Sequence, residues 1–296
     1  MAFLIGMPEL PEVETIRREL VKVLLGKKIT NVEVVHKKAI KSNLLSFKKD
    51  LLGKKIIGID RIGKLLIIDI GQGKFLLIHL KMTGQLIYKH KDTIIEGGHS
   101  LTAAKTSEFP PKYSWVVWTF SDGAKLYFSD MRQFGYLKIV DAKTKDKIVS
   151  TYGPEPLTKD FTLDKFVQIL QKRKAPIKSL LLNQNLIAGI GNIYADEACF
   201  AAQVFPGKKT HTLTSEEIKK LFSAINTVLK KAIKYKGTTF KSYRSLHGKK
   251  GNFFDYLQVY QRDGKKCFRC QVGIIGNKKI GGRSSRYCLV CQKVIH

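Results

Sequence analysis

Four of the five cysteines lie in the last 30 residues, in two pairs that each enclose two residues. Cys267 and Cys270 form the first pair, Cys288 and Cys291 the second, and 17 residues separate the pairs. This spacing lets four thiolates turn onto one tetrahedral zinc, although two disulfides or free thiols would also fit. In a reducing compartment the clustering favours a metal, so the tail predicts one structural Zn²⁺ ion. The fifth, Cys199, lies in an apolar helical run and is expected in a core.

The beginning of the chain holds prolines and carboxylates at close spacing, in the order Pro8, Glu9, Pro11, Glu12 and Glu14. Proline suits the first turn of a helix, and acidic side chains complement the positive end of the helix dipole. Apolar residues follow at helical spacing and a glycine ends the run. Taken alone, the segment predicts a helix from Pro11 to Leu25.

Basic residues dominate the composition: 53 Lys and Arg against 24 Asp and Glu give a net charge of +29. Such a surplus usually has a polyanion to neutralise. Nucleic acid is the first candidate, while a membrane surface, an acidic protein or the background charge of a basic proteome would also account for it. No apolar run approaches the ~20 residues that span a bilayer, and the opening Met1–Gly6 lacks the basic residues of a signal peptide. We therefore expect a cytoplasmic protein and, by default, a monomer.

Short β-rich runs follow the first helix, separated by glycine-bearing turns such as Gly71-Gln72-Gly73. The predicted strands are Ile29–Val35, Lys55–Asp60, Leu65–Ile70, Phe75–Leu80, Tyr113–Phe120, Lys125–Ser129 and Tyr136–Val140. Their spacing predicts a β-sandwich with the first helix packed against it.

The pattern changes at residues 151–156, where two prolines and a glycine indicate a linker. Helical periodicity follows. Thr214 and Glu217 have the spacing of a capping box at the start of a long helix, which Gly237 ends. A polar, glycine-rich stretch, Gly237–Gly251, then leads to the cysteine-bearing tail.

Beside the cysteine tail and the helical middle, the opening from Met7 to Thr15 (MPELPEVET) resembles that of formamidopyrimidine-DNA glycosylases. The resemblance continues in order to Gln292. Its further matching segments are Gly63-Lys64-Leu65-Leu66, His79-Leu80-Lys81-Met82-Thr83-Gly84, Asp130-Met131-Arg132-Gln133-Phe134-Gly135, Gly153-Pro154-Glu155-Pro156-Leu157, Gly189-Ile190-Gly191-Asn192-Ile193-Tyr194-Ala195-Asp196-Glu197, Gly237-Thr238-Thr239 and Gly282-Arg283-Ser284.

The resemblance implies a multidomain α+β fold with three parts. These are an N-terminal β-sandwich with a packed helix over residues 1–150, a helix-two-turn-helix domain over 151–250, and a C-terminal zinc-finger hairpin over 251–296. It also implies that the stretch 237–251 closes over the flipped base, although an ordinary surface loop would look the same.

The resemblance further implies a bifunctional DNA glycosylase and abasic-site lyase of base excision repair. Pro8, with its nitrogen as the free terminus, would be a secondary amine of pKa near ~7.7–8 that attacks C1′ of the damaged nucleotide. Glu9 would be the general acid on the sugar ring oxygen, and Lys64 would contact the phosphate beside the lesion. β,δ-Elimination would then cut the strand. Glu12 is either a partner of the catalytic pair or merely a helix-start carboxylate.

An enzyme that acts at C1′ must turn the nucleotide out of the duplex and fill the hole that it leaves. The resemblance assigns the filling to Met82, Arg132 and Phe134; taken alone, Met82 and Phe134 would be interpreted as core. The phosphate contacts that it implies are Lys178, Asn192 and, counted with the catalytic residues, Arg283. Asn192 could instead be a simple helix cap, a role compatible with binding. The implied partner is double-stranded DNA that contains oxidised bases or abasic sites.

Two features depart from the family pattern. Six residues precede Met7, the methionine at which the family starts, and with them in place the Pro8 nitrogen belongs to a peptide bond. We therefore expect that translation begins at Met7 or that the extension is removed, and that removal of Met7 as initiator methionine then frees the Pro8 nitrogen. The family also usually carries histidine after a lysine where this chain has Lys112-Tyr113, so a phosphate contact there is weakened or passes to Tyr113.

Two alternatives stay open. The endonuclease VIII-like branch shares the fold and the nucleophile but prefers oxidised pyrimidines; its opening usually has glycine in place of Leu10, and its filling residues differ. The other alternative, from a different class, is a non-catalytic DNA-binding zinc protein in which the extension blocks Pro8.

Overall fold

The computed structural model describes residues 7–98, 109–238, 241–244, 249–250 and 253–293, with the backbone alone at 241–244 and 249–250. The predicted extension Met1–Gly6 and much of the stretch 237–251 lie outside these residues. Contacts divide the chain into two compact units. The first is Met1–Ser150 with Lys236–Asn252, and the second is Thr151–Tyr235 with Phe253–His296. Residues 236–252 are thus grouped with the N-terminal half, and the cysteine-bearing tail with the helical segment.

The described part of the first unit is a β-sandwich with helices. Its elements are α1 (Leu10–Leu24), β1 (Ile29–Val34), α2 (Leu44–Leu51), β2 (Gly58–Ile62), β3 (Leu65–Asp69), β4 (Lys74–His79), β5 (Gly84–His90), β6 (Thr93–Gly98), β7 (Ser114–Phe120), β8 (Lys125–Asp130), β9 (Tyr136–Asp141), α3 (Ala142–Val149), β10 (Lys241–Arg244) and β11 (Lys249–Lys250). One antiparallel sheet has the order β1-β7-β8-β5-β6-β10-β11, and the other has the order β2-β3-β4-β9. Apolar residues of both sheets form one core, as predicted.

Helix α1 lies against this core along the stripe that its sequence predicts. Val13, Ile16, Leu20 and Leu24 are all almost completely buried. The helix approaches β6 so closely that a Cβ at Gly97 would lie 2.2 Å from Ile16 Cγ1. Glycine is therefore required where α1 crosses this strand, and the start of the helix is held at a fixed height on the sandwich.

Glu14 fixes α1 to strand β2. Its carboxylate accepts hydrogen bonds from Arg61 Nε at 2.7 Å, Arg18 Nε at 2.7 Å and Arg17 Nη2 at 3.0 Å. Burial opposes the charged carboxylate, but the three guanidinium groups outweigh burial and lower the pKa of Glu14 to about 2. Because Arg61 stands three residues before Lys64, this cluster ties the start of the helix to the turn that carries Lys64.

The second unit is helical and ends in a hairpin. Its described elements are α4 (Leu163–Gln171), α5 (Ile177–Leu181), α6 (Asn192–Ala201), α7 (Ser215–Lys234), β12 (Ile275–Ile280) and β13 (Arg283–Cys288). The predicted capping box is confirmed: the Glu217 N–H donates to Thr214 Oγ1 at 3.2 Å, and the Thr214 N–H donates to Glu217 Oε2 at 2.8 Å. Cys199 is completely buried, as expected.

Several elements differ from the prediction. The sequence did not predict strands β5 and β6, because lysines and glycines interrupt their apolar pattern. It also did not predict helices α2 and α3, and α3 buries no residue. The predicted strand Lys55–Asp60 lies instead at Gly58–Ile62. Its first residues leave the sheet because the Ile56 N–H donates to Lys27 O, at the end of α1. Among the described residues, no helix combines the length and apolarity needed to cross a membrane.

Replacing Glu14 with Gln should flatten the acid limb of the stability curve. The pKa of Glu14 in the fold, about 2, lies below its unfolded value, so its ionised form stabilises the fold above the unfolded pKa and this is lost as the pH falls towards 2. Between about pH 5 and pH 2, wild type should lose on the order of 2–3 kcal/mol more unfolding free energy than Glu14→Gln. Denaturant titrations across pH measure this difference. Glu33→Gln, at an exposed carboxylate, is the control and should follow wild type; equal acid limbs for Glu14→Gln and wild type would contradict the assignment.

Candidate active site and nucleic-acid interface

The start of α1 buries Pro8, Glu9 and Leu10. Glu9 is the N-cap residue, and its N–H donates to Glu12 Oε2 at 3.0 Å while its carboxylate accepts the Glu12 N–H in return. Glu12 Oε1 accepts two more hydrogen bonds, from the N–H and the hydroxyl of Thr238 at 2.9 and 3.1 Å. Glu12 is therefore both a helix-start carboxylate and a partner of the residue beside Pro8.

Lys64 lies in the tight turn between β2 and β3, directly after Gly63, which has a φ of +55°. The side chain is only 6% exposed, which excludes a solvated surface lysine. His79, which the sequence analysis did not single out, lies nearby: burial, followed by the charges of Lys81 and Lys64, lowers its pKa to about 3. His79 is thus neutral near pH 7, and its Nδ1 accepts the Lys81 N–H at 3.0 Å. Lys64 and Lys81 thus place two cations near a neutral His79 in the first unit.

The three residues expected to fill the duplex all reach outward. Met82 is 37% exposed and Phe134 is 52% exposed, which excludes core packing for both. Arg132 is exposed as well, and its guanidinium carbon lies 5.0 Å from the centroid of the Phe134 ring. An exposed apolar side chain beside a cation stacked on an aromatic ring is suited to enter a base stack.

A buried carboxylate holds together the two turns that carry these residues. Asp130 accepts the N–H groups of Arg132 at 3.2 Å and Gly135 at 2.6 Å, and it also accepts the Thr83 hydroxyl. Thr83 Oγ1 in turn accepts the Arg132 N–H at 2.9 Å. A Cβ at Gly135 would lie 2.8 Å from Phe128 Cζ, so the turn leaves no room for a side chain there. The structure therefore brings the Met82 turn and the Arg132–Phe134 turn together.

Tyr113 lies at the same edge of the sandwich. Its carbonyl accepts the Asp130 N–H at 3.2 Å, and its side chain is 47% exposed. Its φ of +66° is rare for a bulky residue and holds the ring outward at an energetic cost. The Lys112 ammonium lies 5.2 Å from the centre of the ring. A hydroxyl and an ammonium are thus presented together where the family usually has histidine.

In the second unit, Asn192 is the first residue of α6, and Gly191 is the N-cap. Asn192 does not cap the helix, and its Oδ1 atom is buried without a hydrogen-bond partner among the described residues. Arg283, the first residue of β13, is exposed. Arg283 offers an exposed guanidinium to an anion. Asn192 Oδ1 is an acceptor, so an anion at this helix N-terminus would be bound by the side-chain amide N–H or by backbone N–H groups.

Lys178 is placed differently. It is 0% exposed, and its ammonium lies 2.6 Å from Asp196 Oδ1 and donates to Ser284 O at 2.6 Å. This placement argues against the direct phosphate contact that we expected, because the ammonium is enclosed and already bound twice. Lys172 and Lys174, on the same segment, are exposed.

The four tail cysteines meet, with all their sulfurs within 4.8 Å of one another. Cys267 Sγ lies 3.8 Å from Cys291 Sγ, and Cys270 Sγ lies 3.7 Å from Cys288 Sγ. Thiolates around a tetrahedral zinc at ~2.3 Å would be about 3.8 Å apart, whereas a disulfide requires about 2.05 Å. Backbone N–H groups donate to three of the sulfurs at 3.2 to 3.4 Å. The four cysteines could therefore hold one metal ion.

Acidic and basic residues are distributed very differently between interior and surface. In the described part of the chain, Lys64 and Lys178 are the only buried residues among the 53 Lys and Arg of the sequence. Among the residues that the structure describes, nine acidic residues are buried, namely Glu9, Glu12, Glu14, Glu19, Glu96, Asp130, Glu155, Asp196 and Glu197. The accessible surface is therefore more basic than the net charge indicates, which favours a polyanionic partner.

Comparison with known proteins decides the family. Residues 7–137 match the model of the formamidopyrimidine-DNA glycosylase N-terminal domain, and residues 152–244 match that of the formamidopyrimidine-DNA glycosylase H2TH domain. The formamidopyrimidine-DNA glycosylase of Pelotomaculum thermopropionicum is 44% identical over 291 residues, which cover 97% of this chain and 100% of the relative. The chain belongs to the formamidopyrimidine-DNA glycosylase family.

Other relatives agree with this assignment. The formamidopyrimidine-DNA glycosylase of Streptococcus pneumoniae is 38% identical over 289 residues, 97% of this chain and 99% of the relative. The Lactococcus lactis enzyme in complex with abasic-site DNA is similar with a TM-score of 0.84 at 34% identity, covering 97% of this chain and 100% of the other. A variant of that enzyme in complex with Fapy-dG DNA gives 0.85 at 35%, with the same coverage. The predicted fold class, the glycosylase and lyase class, and the role in DNA repair are confirmed.

The sequence identified the exposed site residues of this glycosylase, but it did not identify the buried carboxylates that bind the backbone near them. Asp130 opens the matched segment 130–135, and Asp196 and Glu197 close the segment 189–197. Glu197 accepts the backbone N–H groups of Gln258, Val259 and Tyr260, each within 3.1 Å. An acid directly before a turn that ends in glycine is typical of a side chain bonded to the turn backbone, so Asp130 could have been found.

Replacing Asp130 with Asn should loosen the glycosylase turn that carries Arg132 and Phe134. One acceptor oxygen becomes a donor that faces a backbone N–H, which should lower the unfolding free energy by about 1–3 kcal/mol. The affinity for a duplex with an uncleavable abasic analogue should fall too, measured by fluorescence anisotropy under conditions where the protein stays folded. Asp146→Asn, at an exposed aspartate of α3, is the matched control. Unchanged affinity in folded Asp130→Asn would mean that the carboxylate does not hold the turn.

Proposed function

We propose that this chain excises oxidised purines, 8-oxoguanine and formamidopyrimidines, from duplex DNA and then cleaves the strand, with the nitrogen of Pro8 as the nucleophile. The observation that carries the proposal is the start of α1, where Pro8 and Glu9 are buried and the Glu9 N–H donates to the Glu12 carboxylate. As a chain terminus, the Pro8 nitrogen would be a secondary amine that is partly uncharged at neutral pH. The family model also begins at Met7, one residue before it.

The chemistry follows from a secondary amine beside a carboxylic acid. The Pro8 nitrogen attacks C1′, the base leaves with a proton, and Glu9 protonates the ring oxygen as the sugar opens. The resulting iminium has no N–H to lose, so it remains a cation and withdraws electrons from the sugar. The C2′ proton then becomes acidic, and the 3′ and later the 5′ phosphate leave by elimination. Water finally releases the proline from the sugar fragment.

The remaining site residues bind the DNA backbone and fill the gap in the base stack. Met82, Arg132 and Phe134 fill the space of the extruded nucleotide, and their exposure on two turns that are bonded to each other supports this role. Lys64 contacts the phosphate beside the lesion. Further phosphate contacts fall to Arg283, Asn192 and Tyr113, which offer an exposed guanidinium, a side-chain amide N–H at a helix start and a hydroxyl. These are the groups that position a DNA backbone.

The choice of lesion is the finer part of the proposal. Solved relatives are complexes with Fapy-dG DNA and also with oxidised-pyrimidine DNA, so binding alone does not separate purine from pyrimidine specificity. The endonuclease VIII-like alternative is disfavoured by Leu10, where that branch usually has glycine, and by the exposed set of Met82, Arg132 and Phe134. A cytoplasmic location and a monomeric state stay predictions.

The metal that we propose for the tail is zinc. Four cysteines with pairwise sulfur distances of 3.7 and 3.8 Å, and with N–H groups directed at the sulfurs, fit a closed tetrahedral site. Bound zinc would fasten the two ends of the β12–β13 hairpin and has no part in the reaction.

Pro8→Gly should largely abolish base excision while binding to an uncleavable duplex persists, because a primary amine replaces the secondary one, its imine can lose the proton that keeps it cationic, and little contact surface is removed. In wild type, borohydride should trap a covalent adduct with lesion DNA, and peptide mapping should place it on Pro8 at a chain terminus. Pro11→Gly is the matched control and should still be trapped. Duplexes with 8-oxoguanine and with thymine glycol are compared in the same assay.

The outcomes of that experiment separate the alternatives. Full activity from a chain with residues 1–6 still attached would require another nucleophile. Binding without any adduct would indicate the non-catalytic zinc protein. Faster excision of thymine glycol than of 8-oxoguanine would retain the proline chemistry but place the lesion choice with the endonuclease VIII-like branch.

Metal analysis of the purified protein should find one zinc per chain. Cys270→Ser should lose the zinc and lower the melting temperature, because removal of one thiolate opens a site that couples to folding. Cys199→Ser changes a cysteine that lies outside the cluster and should keep the full zinc content. Stoichiometric iron, or no metal in folded protein, would contradict the zinc assignment.

A further inference from the structure

A buried ion pair lies between two helices and the hairpin of the second unit. Lys178 on α5 and Asp196 on α6 are both 0% exposed, and the Lys178 ammonium lies 2.6 Å from Asp196 Oδ1. Lys178 is one of only two buried cations among the described residues. A buried pair of this kind usually adds little stability relative to apolar residues of similar volume, so its presence calls for another role.

Both members of the pair also bind the backbone of β13. The Lys178 ammonium donates to Ser284 O at 2.6 Å, and Asp196 Oδ2 accepts the Arg286 N–H at 3.1 Å. A Cβ at Gly281, in the hairpin turn, would lie 2.2 Å from Ser179 Oγ, so α5 packs against the turn as well. The strand is thereby held at residues 284 and 286, directly after Arg283.

The second arginine of β13, Arg286, is already bound within the protein. The Arg286 guanidinium pairs with Asp263 at 3.2 Å and stacks 4.8 Å from the centre of the Tyr260 ring. Arg283 is exposed at the beginning of the strand. Of these two arginines of β13, Arg283 is therefore the one that can reach a phosphate.

We infer that Lys178 and Asp196 are positioning residues for DNA binding. Together they fix the backbone of β13 and so direct Arg283 at a phosphate, and neither touches the DNA. This inference rests on the phosphate contact of Arg283 in the proposed function, and it replaces the direct phosphate contact that the resemblance implied for Lys178. The two roles differ in one respect that can be measured: positioning acts through Arg283 and needs Asp196, whereas direct contact needs neither.

The test measures affinity for a duplex with a tetrahydrofuran abasic analogue over a range of salt concentrations. The proteins are wild type, Arg283→Ala, Lys178→Met, Asp196→Asn and the double variant Lys178→Met/Arg283→Ala. Each phosphate contact contributes about one unit to the slope of log affinity against log salt. Lys220→Met is the matched control, since Lys220 forms an exposed pair with Glu216 on α7.

Each of the three single variants should weaken binding about tenfold and lower the slope by about one. The double variant should be no worse than Arg283→Ala alone, because both changes remove the same contact. Lys220→Met should follow wild type. Conservative Lys178→Arg keeps the charge and should recover part of the slope.

Three results would overturn the inference. A double variant that loses two units of slope, with Asp196→Asn like wild type, would restore direct phosphate contact by Lys178. Weaker folding with an unchanged slope would make the pair merely structural. A slope that Arg283→Ala leaves unchanged would remove the contact on which the inference rests.

Two measurements keep the test valid. If Lys178→Met does not fold, Asp196→Asn, which changes one atom, carries the comparison, and hydrogen exchange of residues 283–287 reports whether the strand is released. Metal content shows that the cysteine cluster is intact in each variant. The analogue cannot be cleaved, so these results are independent of borohydride trapping, and failure of the proline chemistry would be recognised separately.

Discussion

Three functional segments of this chain each depend on a carboxylate that is buried beneath the segment and bound to its backbone. Glu12 holds the start of α1, Asp130 holds the Arg132–Phe134 turn, and Asp196 holds the strand that begins at Arg283. A buried carboxylate loses its hydration and is tolerated only where hydrogen-bond donors replace the lost water. The donors here include backbone N–H groups of the segments themselves, beside the Thr238 and Thr83 hydroxyls and the Lys178 ammonium. The requirement to satisfy the carboxylate therefore fixes the backbone from which the outward side chains project.

The burial of carboxylates also suits a chain that binds DNA. A surface that meets DNA cannot carry many exposed acids, because each would repel a phosphate. This glycosylase places its structural acids inside and its cations outside. Burial changes the ionisation of the Lys178–Asp196 pair. It raises the pKa of Asp196 to about 7 and lowers the pKa of Lys178, although each group favours the charge of the other. The pair is therefore poorly suited to add stability, and its value lies in the geometry of β13.

The sequence predicted those parts of the molecule that local rules determine. The first helix, the capping box at Thr214, the cysteine spacing and the sandwich all follow from periodicity, capping and ligand spacing within a short stretch. Strand β6 did not follow, because its Gly97 is explained only by the contact with Ile16, 81 residues earlier in the chain. The burial of Lys178 is similar: as a sequence letter it is an ordinary lysine, and its partners Asp196 and Ser284 come from distant segments. Contacts of this kind are properties of the tertiary fold and leave no local pattern.

Glu12 is a residue whose role follows from a tertiary contact and not from the local sequence. From the sequence it was either a helix-start carboxylate or a partner of the catalytic pair, and its two oxygens allow it to be both. Oε2 binds the Glu9 N–H, and Oε1 binds Thr238, the residue after Gly237. Gly237 has a φ of +69°, and a Cβ there would lie 2.6 Å from Glu12 Oε1, so the chain that follows α7 must pass against this carboxylate. The position of the Pro8–Glu9 pair and the point at which the 237–251 stretch begins are thus set by the same side chain. A displacement of the backbone at Glu9 or at Thr238 would cost this carboxylate a hydrogen bond, because each N–H is one of its donors.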